Sequence, residues 1–125
     1  MANPNIVNVT SILGETVFGV LTTTLTTVLL SNPASSGKVL KINTVLISNV
    51  NGTVATDTTI DISPTAGGTS TGAVSLASTI SVPADATLTV IDKNSSLYLL
   101  EDKSIIGNCT TAGNCEFIIS YEVIS

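Results

Sequence analysis

Cys109 and Cys115 are the two cysteines of the chain, and they bracket Thr110-Thr111-Ala112-Gly113-Asn114. A five-residue connection containing Gly suits a β-hairpin. Strands paired directly across it would bring both side chains to the Cα separation of ~5.5 Å at which a disulfide closes. Such a bridge would add up to roughly 2–3 kcal/mol and would form only outside a reducing compartment. Two reduced, partly buried thiols are the alternative reading.

The chain has no histidine, so neither a Ser–His nor a Cys–His nucleophile system can be assembled from it. Paired carboxylates remain, in the manner of glycosidases. Asp57 with Asp61 and Glu101 with Asp102 are the candidates. The first two share a strand face, where alternate charges ordinarily meet solvent. The second two sit between strands, where acids favour turns. Two cysteines without histidine cannot complete a zinc site. No loop shows the acid-rich spacing of a calcium site, and Asp85 or Asp92 with loop carbonyls offers a weak one at most. No enzyme activity and no cofactor are expected. Sugar platforms are equally scarce, the aromatics being Phe18, Tyr98, Phe117 and Tyr121.

Four Lys, no Arg and nine acids give a net charge of −5. An acidic chain without guanidinium forks lacks the footprint of a nucleic-acid binder. The longest apolar runs, such as Val28-Leu29-Leu30, fall far short of the ~20 residues of a membrane-spanning helix. Met-Ala-Asn-Pro-Asn does not read as a secretion signal, so synthesis in a cytoplasm is expected.

The elements that must position these residues are strands. Of 125 residues, 46 are Thr, Val or Ile and 35 carry a Ser or Thr hydroxyl, while only 10% are charged. Such a composition describes a folded β-protein. A short strand is expected over Asn5–Ser11, ended by Gly14. Two more fill Glu15–Leu30, with a bend or bulge at Gly19. Val17, Leu21 and Leu25 lie at helical spacing there, but five Thr among residues 22–27 favour strands. Asn32–Gly37 is a loop. Lys38–Val50 is the clearest strand, with Leu40, Ile42, Leu46 and Val50 on one face. Asn51-Gly52 is the favoured type I′ hairpin dipeptide and predicts a direct return along Thr53–Ile62. Pro64–Gly72 reads as a surface loop ordered by a neighbour. Strands follow over Ala73–Val82, Thr87–Asp92, Leu97–Leu100, Lys103–Cys109 and Cys115–Ile124, the last with Phe117, Ile119, Tyr121 and Val123 on one face. Nine or ten short strands at this spacing imply one domain over 1–125, an all-β antiparallel sandwich of jelly-roll or immunoglobulin-like type. Four lysines are too few to guard its edges, which points to edges and flat faces covered by partners.

The opening Met-Ala-Asn-Pro-Asn-Ile-Val-Asn-Val-Thr-Ser-Ile resembles a family of small virion structural proteins of tailed bacteriophages. So do the stretch Ser35–Asn43, the run Ile80–Leu88 and the ending Ser120–Ser125. Family members occur notably in phages of cyanobacteria and other aquatic bacteria. The resemblance implies a capsid decoration (cement) role on the major capsid protein, as a homo-oligomer with a trimer at local three-fold axes favoured. It implies no catalytic residue. Related small β-proteins serve in necks, tails and baseplates, and a host-surface or glycan-binding module is a further alternative. Contacts to neighbouring subunits are expected from the N-terminal arm, Ala2, Asn3, Pro4 and Asn5, and from Thr65, Ala66, Gly67, Gly68 and Thr69. The turn at Glu101-Asp102-Lys103 stands where the family has an acidic one, and the cysteine pair lies outside the family pattern.

Overall fold

The computed structural model describes residues 9–125, and its strands are β1 (Ile12–Val20), β2 (Val28–Asn32), β3 (Val39–Asn49), β4 (Thr56–Ser63), β5 (Val74–Val82), β6 (Thr87–Ile91), β7 (Leu97–Leu99), β8 (Lys103–Cys109) and β9 (Cys115–Ile124). One sheet runs β1-β9-β3-β6, with β7 also on β3, and the other runs β2-β8-β4-β5. Every pairing is antiparallel. The expected all-β sandwich is therefore present. Its strand order is that of a jelly roll.

The order has a simple origin. Ile12 pairs with Ile124, Leu30 with Ile105, Ile47 with Leu88 and Thr56 with Val82. All four pairs are centred near Gly68, so the chain is one long hairpin rolled into two layers. Between the layers lies a core built on Leu21, Leu30, Ile42, Ile47, Ile60 and Ile119.

Two buried asparagines pin the layers together. Asn32, at the end of β2, donates from Nδ2 to the carbonyls of Lys38 (2.9 Å) and, in the opposite sheet, Leu99 (3.0 Å). Asn49, at the end of β3, donates to Val54 (2.9 Å) and, across the sandwich, to Val82 (2.9 Å). Its Oδ1 accepts from Asn51 N. Buried carbonyls at sheet corners need such donors, and each amide supplies two.

Several expectations need correction. The strand expected over Asn5–Ser11 begins at Ile12 among the described residues and runs through Gly14. Gly19 forms no bulge; it lies against Phe117, whose ring would sit 3.0 Å from an added Cβ. Thr22–Thr27 loops out between two bonds to β8, Cys109 N to Thr22 O and Gly107 N to Thr27 O. A Thr22–Thr27 hydroxyl contact of 2.8 Å closes its neck.

Asn51-Gly52 makes no hairpin, because β3 and β4 belong to different sheets. A type I′ turn needs positive φ at both positions, and neither residue has it. Instead Asn51 Oδ1 accepts from Thr53 N and Val54 N, an Asx turn that steers the chain across the layers. In β3 the buried face changes from Leu40 and Ile42 to Val45, Ile47 and Asn49. Opposite β9 the register slips between Ile42 and Thr44. The extra residue Asn43 turns outward and donates to Glu122 (3.0 Å). One inserted residue reverses every later side chain, so Leu46 faces outward rather than joining Leu40 and Ile42.

Candidate functional site

Cys109 closes β8 in one sheet and Cys115 opens β9 in the other, so residues 110–114 form an arch between layers, not a hairpin. Both cysteines are free, fully buried thiols in the core. The expected bridge rested on direct strand pairing; the crossing replaces that pairing yet leaves Cys109 beside Cys115, both as free thiols. Cys109 Sγ donates to Thr111 O at 2.9 Å. Burial, and then the adjacent Cys109, push the Cys115 thiol up to about 11. A buried thiol held protonated is a poor nucleophile. The pair is packing.

Tyr121 lies on β9 facing β1, and its hydroxyl donates to Glu15 Oε1 at 2.9 Å. Burial and that bond push its pKa up to about 12. Both groups keep their protons in the native state to higher pH than in the unfolded chain. Their contribution is complete below the unfolded values and is lost as pH rises through the folded ones. Stability is expected to fall between pH 9 and 11 through Cys115 and between pH 10 and 12 through Tyr121. Both losses act in the same direction, so the fall should be steepest where the two windows overlap, between pH 10 and 11. Urea midpoints across this range check it: Cys115→Ala should flatten the lower part and Tyr121→Phe the upper. A wild-type midpoint constant to pH 11 would contradict the assignment.

The paired acids do not assemble. Asp57 and Asp61 lie four residues apart on β4, on the order of 13 Å, too far for the ~5–9.5 Å of glycosidase pairs. Asp61 is buried, with Oδ1 lacking a hydrogen-bond partner among the described residues. Glu101 accepts from Gly37 N, and Asp102 accepts from Ala66 N, so the two point to different loops. Asp92 caps the 3-10 turn Lys93–Ser95 by accepting from Asn94 N and Ser95 N. Among the described residues no three Cys, Asp or Glu side chains gather as metal ligands.

The expected contact loop, Thr65, Ala66, Gly67, Gly68 and Thr69, is tied to its own chain. Thr65 O accepts from Ser104 Oγ (2.7 Å), Ala66 O from Ser31 Oγ (3.1 Å), and Ser63 Oγ from Thr69 N (2.9 Å). Gly68 packs over Val28 and Ile106, sealing the outer face of β8. A neighbour is not needed to order it. The arm residues Ala2, Asn3, Pro4 and Asn5 lie outside the described residues.

A different surface stands out. Register places Phe18 opposite Ile118, and Ile118 opposite Leu46, as one row across the outer face of the larger sheet. Phe18 is 75% exposed, and Ile12, Leu13 and Val20 each exceed 50%. Beside them a shallow cleft of about 420 Å³ is lined by Phe18, Val20, Ser48, Glu116 and Ile118. Single exposed apolar residues are ordinary, whereas several grouped on one strand and its neighbour make this face a candidate contact surface.

No family model, curated protein or solved structure matches the chain.

The surface was not read from the sequence, although its signal is there. Ile12, Thr16, Phe18 and Val20 alternate with the core-facing Val17 and Gly19, and the segment contains no lysine. What could not be read is that β1 is the outermost described strand of its sheet, because that depends on β9, about a hundred positions away.

Proposed function

We propose that the protein is a non-enzymatic structural subunit of a phage virion, acting as a decoration protein on the outside of the head. The jelly-roll strand order supports this reading, since the architecture recurs in viral capsid domains. Fold alone does not carry function. The second support is a hydroxyl-rich, weakly charged surface with an apolar edge strand, suited to many shape-matched contacts with protein neighbours. Subunits that bind the assembled shell stabilise it by mass action. Copies grouped about a local three-fold axis would multiply weak contacts into avidity.

Copy number in purified particles tests the proposal. Hundreds of copies per virion are expected. A dozen or fewer would move the protein to the neck, tail or baseplate, and absence from particles would overturn the virion reading. Turnover of any substrate by the isolated chain would overturn the non-enzymatic part.

A further inference from the structure

We infer that the outer edge of β1, unpaired among the described residues, is a self-association seam, on which a second copy of this chain docks antiparallel about a two-fold axis at Thr16. The inference concerns the chain itself and stands whether or not the virion reading holds.

Sheet edges expose unpaired backbone groups, and natural proteins blunt them with short strands, bulges or lysines. Three edges here are blunted. β6 and β7 span five and three residues, β2 is bulged between Val28 and Leu30, and β5 carries two register slips and Thr79 at φ 50. β1 is different. It runs nine residues without a slip against β9, and its single charged residue, Glu15, is bonded by Tyr121. No described strand pairs with its other side.

The backbone fixes which residues are free. Ser11 and Ser125 exchange N–H and C=O, and Leu21 N donates to Cys115 O. In an antiparallel ladder such pairs alternate, so odd positions of β1 bond β9 while Ile12, Gly14, Thr16, Phe18 and Val20 turn their backbone groups outward. Overlap of all nine residues with a second β1 then has one solution. Thr16 faces its own copy, Gly14 faces Phe18, and Ile12 faces Val20. Each pair joins two outward-bonding positions, and each large side chain meets an apolar residue or the space over a glycine. Phe18 over Gly14 is an arrangement known to support edge glycines.

Charge agrees. Each copy carries −5, yet the seam sets Glu15 opposite Val17 of its copy rather than opposite an acid. Area sets the strength. A nine-residue strand ~30 Å long along a layer ~10 Å thick hides roughly 300 Å² per copy, below the ~800 Å² per partner of a stable complex. The dimer is therefore reversible and concentration-dependent.

Sedimentation velocity on the full chain, from low micromolar to near-millimolar, tests this. The wild type should shift from monomer to dimer. Thr16→Lys and Thr16→Glu, at an exposed position, should keep their thermal melts but dimerise at least tenfold more weakly, because like charges face each other at the axis. An equimolar mixture of the two should recover a heterodimer that weakens with salt. A wild type monomeric throughout, a dimer indifferent to Thr16→Lys, or a mixture that fails to associate would each overturn the seam. So would a monomer whose outward-bonding β1 amides resist hydrogen exchange, since the edge would then be occupied within the monomer itself.

Discussion

Asn49→Ala is expected to lower the unfolding free energy by about 3 kcal/mol, because the buried carbonyl of Val82 and the carbonyl of Val54 lose their donor together. Asn51 N also loses its acceptor at the start of the crossover. A domain of this kind has about 5–15 kcal/mol in total, so one amide holds a large share. Urea unfolding with an unchanged m-value measures it. Asn32→Ala should cost a similar amount at the other corner, where Lys38 O and Leu99 O are left bare. The two sites share no partner, so their costs should add. A loss under ~1 kcal/mol for Asn49→Ala would mean that water replaces the amide and that the corner pins matter little.

Gly68→Ala should be nearly as damaging, at about 2–4 kcal/mol. Gly68 sits at φ 83, and an added Cβ would lie 2.7 Å from Val28 Cγ2 and 2.9 Å from Thr26 O. The strain and the clash act together, and the backbone carbonyl cannot rotate away. The loop should lift from β8, so amides around Ile106 exchange faster with solvent. Gly67→Ala is the control. It has open space around it and no left-handed φ, so its change should stay within about 0.5 kcal/mol. Equal behaviour of the two variants would show that residues 64–72 do not seal the outer face.

Both predictions fall on residues whose importance the sequence conceals. Asn49 looks like one polar residue in a strand, and Gly68 like one more small residue in a soft loop. Alternation along a strand reports that one face is buried, and it placed Val74–Val82, Lys103–Cys109 and Cys115–Ile124 within a residue or so. It does not report what the strand is paired with. For that reason Asn51-Gly52 and Thr110–Asn114 read as hairpins, when both carry the chain between layers. The same limit hid the edge position of β1, and with it the surface formed by Phe18, Val20 and Ile118.

The amino-acid sequence by itself determined the material: β-branched residues in short alternating runs, no imidazole, no guanidinium, and hydroxyls in place of charge. These are additive, local properties, and they fix an all-β sandwich and exclude histidine-dependent chemistry. Tertiary structure alone decided the rest. Strand pairings centred near Gly68 join residues up to about a hundred positions apart, and only their closure sets which strand is left at the edge. The bulge at Asn43 decided which side chains of β3 entered the core, and the layer crossing at 110–114 decided that Cys109 and Cys115 meet as packed thiols. Long-range register is a cooperative outcome of the whole core, and no window of neighbouring residues encodes it.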